Sequence, residues 1–144
     1  DFELATMVTY PHKVNNVVNI DGYLMMPFLL EWIGAICTRK FTMDLHLIKS
    51  INKVLNEAGL SVEDIDYFAL HQANIRIIQS VAKRLKVSED KFPISLDHCG
   101  NISAGSVPIL LDEINKKGML KPGMKIVLSG FGAGLTWGSA VIEW

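Results

Sequence analysis

Three short stretches carry residues that could do chemistry: Leu70-His-Gln-Ala-Asn-Ile-Arg76, His98-Cys-Gly-Asn-Ile-Ser-Ala-Gly-Ser106 and Ser129-Gly-Phe-Gly-Ala-Gly-Leu-Thr-Trp-Gly138. His71 has an ordinary pKa of about 6.5, so it can donate a neutral N–H or act as a base near pH 7. Asn101 offers an uncharged amide donor. The glycines let backbone N–H groups approach a reacting carbonyl closely. Together these residues suit an oxyanion site for a thioester or enolate, each well-placed donor being worth roughly 3 kcal/mol. No nucleophile in a favourable context accompanies them; Cys99 is close to Asn101 but lies in a tight loop. On residue types alone, a His and an Asn in loops serve structure as readily as catalysis.

Regular elements bracket each stretch. From Leu45 the period is helical: Leu47, Ile48, Ile51, Val54, Leu55 and Ala58 face one way, with Gly59 at the expected stop. Ser61-Val-Glu-Asp64 resembles a capping box and predicts one short turn. Ile65 to Leu70 reads as a strand, and Asn74 to Leu85 as a helix with Ile75, Ile78, Val81, Ala82 and Leu85 inward. Phe92 to Leu96 reads as a short extended piece. Ser106 to Lys117 reads as a third helix with Ile109, Leu110, Leu111 and Ile114 inward, Pro108 in its first turn and Gly118 as its stop. Strands are expected at Phe2–Tyr10, Lys125–Ser129 and Leu135–Glu143, a loop at 12–22, and an apolar, helix-rich excursion at 23–43.

The order β-α-β-α-β-α-β-β predicts an α/β domain: a mostly parallel five-stranded sheet with helices on its faces and an antiparallel last pair. Ligands of such sheets bind outside the carboxyl ends of the strands. All three stretches then fall on one edge, and that placement, more than any single motif, makes them a site.

The 144 residues and 16.0 kDa fit one domain over residues 1–144. A 49% apolar and 20% charged composition excludes a disordered tail. Fourteen Lys+Arg against fifteen Asp+Glu leave a net charge of −1, with no field to hold nucleic acid. Cys37 and Cys99 are too few for a disulfide scaffold or a four-ligand zinc site. The longest apolar stretch, Tyr23 to Ile36, contains Pro27 and Glu31 and falls short of the roughly 18–20 residues that span a bilayer. Asp1-Phe2-Glu3 carries no charged leader and no initiator Met, so the chain reads as cytoplasmic and as cut from something longer.

His98 and Cys99 make a poor metal pair, since no second ligand pair has zinc-like spacing, and no metal is expected. Cys37 reads as a small core residue, His98 as structural, and His12 and His46 as surface. Asn101-Ile-Ser103 matches a glycosylation sequon, which a cytosolic site asparagine explains better.

As strings, the motifs are more specific. His-Gln-Ala-Asn-Ile-Arg-Ile-Ile (71–78), Gly-Asn-Ile-Ser-Ala-Gly-Ser-Val-Pro (100–108) and Gly-Phe-Gly-Ala-Gly-Leu-Thr-Trp-Gly-Ser (130–139) closely resemble the β-ketoacyl-acyl carrier protein synthase III family in order and spacing. Glu63-Asp-Ile-Asp-Tyr-Phe68 and Lys121-Pro-Gly123 are similar too. The resemblance is strong from Leu45 to Trp144 and weak before that. It implies a thiolase-like fold of which this chain is the C-terminal half, with the N-terminal nucleophile domain absent.

The same resemblance implies an acyltransferase of fatty acid biosynthesis. A cysteine of the N-terminal half takes an acyl group from acyl-CoA, and a malonyl thioester on acyl carrier protein then loses CO2 and attacks the acyl-enzyme. His71 resembles the catalytic histidine and Asn101 the catalytic asparagine, both neutral donors to the enolate oxygen. The Ala133 backbone N–H corresponds to the oxyanion-hole donor of the glycine loop, and Phe131 to the phenylalanine near the malonyl carboxylate. Asn74 matches a CoA-contacting asparagine, and Arg76 an arginine at the tunnel mouth. CoA and acyl-carrier thioesters enter as substrates, and no cofactor is implied. The implied partners are acyl-CoA, acyl carrier protein, the N-terminal half of the same enzyme and a second copy in a homodimer.

Three departures stand out: no nucleophile cysteine is present, Ala133 occupies a position where glycine is common, and Gly22 to Leu45 is longer than the family usually has. Arg76, Lys83, Arg84 and Lys86 form either a solvated face or a dock for an acidic carrier protein. Two further readings stay open: a related polyketide-starter or quinolone-type ketosynthase, and a non-catalytic module that binds carrier protein or dimerises. Alone, the chain is expected to be inactive and to self-associate.

Overall fold

The structure is a computed structural model that describes residues 3–11, 44–132 and 136–144. The expected loop at 12–22, the excursion at 23–43, His12, Cys37 and Ala133 lie outside the described residues.

Helix α1 covers residues 44–57. It stops where the sequence predicts, because Gly59 takes φ +67. Its N–H reaches Asn56 O at 3.2 Å, and the Leu60 N–H reaches Leu55 O at 2.9 Å. These paired bonds require a left-handed residue, which glycine adopts without a Cβ penalty. At the expected capping box, the Asp64 carboxylate accepts both the N–H and the hydroxyl of Ser61 at 2.7 Å.

Four strands follow: β1 (Glu3–Pro11), β2 (Tyr67–Leu70), β3 (Lys125–Gly132) and β4 (Thr136–Glu143), in the sheet order β1-β4-β3-β2. The α/β class holds, but the sheet is neither five-stranded nor mostly parallel among the described residues. Only β2 and β3 run parallel; β4 pairs antiparallel with both β3 and β1. Three residues between β3 and β4 leave no room for a crossover, so that pair must reverse direction.

The missing fifth strand was expected at Phe92–Leu96. Phe92 is buried and stacks on Phe68, ring centres 4.8 Å apart, so its apolar character is explained by packing. The backbone beside it bonds to a side chain instead of a ladder. Gln72 accepts the Ser95 N–H at 3.1 Å and donates to Pro93 O at 3.5 Å, and Pro93 has no N–H to pair.

Helices α2 (Ile75–Leu85), α3 (Leu96–Cys99) and α4 (Ser106–Lys116) are the other α-helices among the described residues. Side chains alternate across β2 and β3, and both faces are covered, which is why these strands read as continuous apolar runs. Leu47, Ile51, Val54 and Leu55 of α1 and Ile78, Val81 and Ala82 of α2 pack with Phe68, Leu70 and Val127. Leu110 and Ile114 of α4 pack with Ala69, Ile126 and Ile142 on the other side. The two predicted inward residues that fail are Ile75 and Ile109, at 41% and 40% exposure. Ile75 is the first residue of α2, and α4 buries the row Ser106, Leu110 and Ile114, which Ile109 is not on.

Polar contacts fix the layers. Buried Asp44 accepts from Ser80 Oγ at 2.5 Å and from Arg84 Nε at 2.9 Å, joining α1 to α2. Ser50 of α1 meets Ser139 of β4 at 2.6 Å, and Ser139 meets Ser129 of β3 at 2.8 Å. His46, expected at the surface, instead stacks on Trp137 with centroids 4.1 Å apart. No helix among the described residues is long and apolar enough to cross a membrane.

Candidate functional site

Leu70 pairs with Ser129, so β2 ends beside Ser129 while β3 runs on to Gly132. His71 follows β2 directly, and its backbone N–H donates to Ser129 O at 2.8 Å, extending the ladder by one step. The half-buried ring stands edge-on to Phe131, centroids 5.3 Å apart at 73°. Its Nδ1 lies 2.6 Å from the Ser106 hydroxyl at the start of α4. Burial lowers the His71 pKa below its ordinary value of 6.5, so the ring is held neutral at physiological pH.

A cavity of about 710 Å3 opens here, lined by His71, Phe131, Ser103, Ser106, Gly130 and Gly138 among others. Two of the three sequence stretches therefore meet directly, and the second reaches them through Ser103 to Ser106. Phe131 and Gly132 are not in a loop as expected. They continue β3 and pair with Trp137 and Thr136 of β4, which rigidifies the cavity wall.

Asn101 is exposed and is not in the cavity lining; its place is just before Ser103 and Ala104, which are. Its Oδ1 accepts the Ser103 N–H at 3.0 Å, which leaves the amide NH2 as the end able to donate to a ligand. Gly100 before it takes φ +66 and ψ −165. Asn74 caps α2, its side chain accepting the Arg76 N–H at 2.9 Å. Asn74 and exposed Arg76 stand outside the lining, at the start of α2.

Near Asn101, His98, Cys99 and Glu113 bring possible ligand atoms within 4.8 Å of one another. Spacing along the chain did not reveal this group, because Glu113 comes from α4. The donors already engage each other: His98 Nε2 meets Glu113 Oε1 at 2.9 Å, and the Cys99 thiol donates to the same oxygen at 3.4 Å. Desolvation, then the Glu113 contact, raises the Cys99 pKa and keeps it a thiol. Cys99 is thus poorly suited to be a nucleophile.

Sequence reasoning missed the roles of Ser106 and Gln72. Both lay inside the noted motifs, but a serine opening a helix and a glutamine after a strand carry no sign of which distant group they bond.

The model of the 3-oxoacyl-[acyl-carrier-protein] synthase III C-terminal family matches residues 55–144. A beta-ketoacyl-[acyl-carrier-protein] synthase III from Clostridium acetobutylicum is 55% identical over 98 residues, covering 68% of this chain and 30% of the relative. One from Pyropia yezoensis is 50% identical over 134 residues, covering 93% of this chain and 37% of the relative. That longer match extends before Leu45, where the motifs are weakest. The crystal structure of a 3-oxoacyl-[acyl-carrier-protein] synthase III from Aquifex aeolicus superposes with a TM-score of 0.79 at 27% identity, covering 99% of this chain and 45% of that one. The chain spans about a third of the length of the curated relatives it matches.

Proposed function

The chain belongs to the 3-oxoacyl-[acyl-carrier-protein] synthase III C-terminal family, and from that premise we propose that it is the C-terminal part of a ketosynthase of fatty acid biosynthesis. The complete enzyme joins acyl-CoA to a malonyl carrier thioester by decarboxylative Claisen condensation, making a 3-oxoacyl carrier thioester. The names of the relatives do not favour the secondary-metabolism or carrier-binding alternatives.

The observation that carries this reading is the His71 ring in the cavity wall, held between Ser106 and Phe131 where β2 ends beside β3. In the first half-reaction a cysteine outside this chain takes the acyl group and CoA leaves. In the second, the malonyl C–C bond breaks, CO2 departs, and the thioester oxygen gains negative charge. Donors from His71 and the Asn101 amide stabilise that oxygen as the charge develops, which lowers the barrier without tightening the ground state. The Ala133 N–H serves the tetrahedral oxyanion of the next step, and Phe131 packs beside the malonyl carboxylate. Asn74 and Arg76 receive CoA and the carrier phosphate. Alone the chain lacks the nucleophile and is inactive.

Leu45 and Ile75 on the α1–α2 side and Ile109 on the α4 side remain exposed, and we infer that the N-terminal half and a second copy in a cytoplasmic homodimer cover such residues. The test is His71→Ala and Asn101→Ala in the complete enzyme. Malonyl decarboxylation should fall at least about a hundredfold, the cost of losing one oxyanion donor, while acyl loading persists. Equal loss of both steps would overturn these roles.

A further inference from the structure

His71 Nδ1 and Ser106 Oγ stand 2.6 Å apart although 35 positions separate the two residues in the chain. Ser106 borders the cavity but is only 1% exposed, so its hydroxyl depends on protein partners. The same oxygen accepts the Gln72 backbone N–H at 3.3 Å. A hydroxyl carries one hydrogen and two lone pairs. The Gln72 N–H is itself a donor and cannot take that hydrogen. Among the described residues, His71 Nδ1 is the acceptor that remains. With a hydrogen on Nδ1 instead, the serine O–H would be buried with nothing to accept it.

We propose that Ser106 is the positioning residue of this site: its hydroxyl donates to Nδ1 and holds His71 in the tautomer whose hydrogen sits on Nε2. Nε2 has no partner among the described residues, and His71 lines the cavity. The catalytic consequence rests on the proposed function. A neutral ring in this tautomer donates to a developing enolate oxygen, whereas the other tautomer would present a lone pair and repel it. Edge-on contact with Phe131 limits the ring's swing but does not choose between its nitrogens. That choice falls to Ser106.

The test uses the complete natural polypeptide with isotope-labelled histidine, and reads ring-nitrogen chemical shifts at neutral pH. His71 is assigned by the signals lost in His71→Ala. We expect Nε2 in the protonated range and Nδ1 in the unprotonated range, with the two averaging in Ser106→Ala. In Ser106→Ala, malonyl decarboxylation should fall between about tenfold and the roughly hundredfold cost of losing an oxyanion donor. Acyl loading should stay within about twofold, and Ser106→Thr, which keeps the hydroxyl, should restore the wild-type shifts. A hydrogen on Nδ1 in the wild type, or unchanged shifts in Ser106→Ala, would overturn the proposal and leave the functional reading standing. Conversely, if His71→Ala decarboxylates normally, the functional reading falls while the shifts still decide the Ser106 contact.

Discussion

The side-chain oxygen of Gln72 accepts the backbone N–H of Ser95 at 3.1 Å, and both residues are fully buried. The amide nitrogen of the same side chain donates to Leu70 O at 2.9 Å. One glutamine therefore ties the turn that carries His71 to the segment that leads to Asn101. Gln72→Ala would leave the Ser95 N–H and two carbonyls without their partner. It should destabilise the complete enzyme by about 1–3 kcal/mol in chemical denaturation, the usual cost of an unmet buried polar group. A change below about 0.5 kcal/mol, typical of a surface substitution, would show that the bridge is dispensable.

Gly100 combines φ +66 with ψ −165, a region that residues with a Cβ rarely enter. A Cβ there would meet no atom within 4 Å, so the penalty is conformational rather than steric. Gly100→Ala should cost about 1–3 kcal/mol and disturb Asn101 next to it. Gly105→Ala is the control: its φ is −71, and a Cβ would find ordinary contacts from 3.8 Å. Melting curves of the two variants should differ clearly, and equal melting temperatures would refute the backbone explanation.

Burial lowers the His71 pKa, which sets the sign of its pH effect. Between the lowered value and 6.5, the unfolded chain binds a proton that the folded chain refuses. Stability from this group therefore rises with pH across that window and is complete above about 6.5. His71→Asn should flatten this part of the stability–pH profile. An unchanged slope would mean that the ring titrates normally.

His98 shifts the other way. Its contact with Glu113, then that with Asp97, raises its pKa, and His98 in turn lowers that of Glu113. The His98 contribution is full below about 6.5 and fades as pH rises through the raised value. The Glu113 contribution is present above its ordinary 4.5 and is lost as pH falls through the lowered value. In an NMR titration His98 should titrate above 6.5, and Glu113→Gln should bring it down. No movement in that variant would remove the pair as the cause.

Cys99 should behave as an unreactive thiol, since desolvation and Glu113 both raise its pKa. Cys99→Ser is expected to leave acyl loading of the complete enzyme unchanged. Loss of loading in a correctly folded variant would reopen its candidacy as a nucleophile.

Local signals were sufficient for the three long helices and their ends, but not for the short α3, whose first residue read as extended. Apolar residues at helical spacing marked α1, α2 and α4, and Gly59 and Gly118 stop α1 and α4 with φ of +67 and +69, because both motifs depend on neighbours a few residues apart. The strings around His71, Asn101 and Phe131 sufficed to indicate the family. Exposure of Ile75 and Ile109 was not legible, since an apolar stripe can be wider than the row that packs, and α4 buries only Ser106, Leu110 and Ile114.

By itself the sequence determined the α/β class, the boundaries of the three long helices and the residues worth testing, all properties of short-range pattern. Tertiary structure alone decided the rest. It made Phe92–Ser95 an irregular segment leading into α3, because the Gln72 side chain supplied the bonds a strand would have needed. It brought Ser106 to His71 and Glu113 to His98, pairs whose members lie far apart in the chain. Such contacts arise when two helices and a strand end converge on one edge of a sheet, and the spacing of residues along a chain does not encode that convergence.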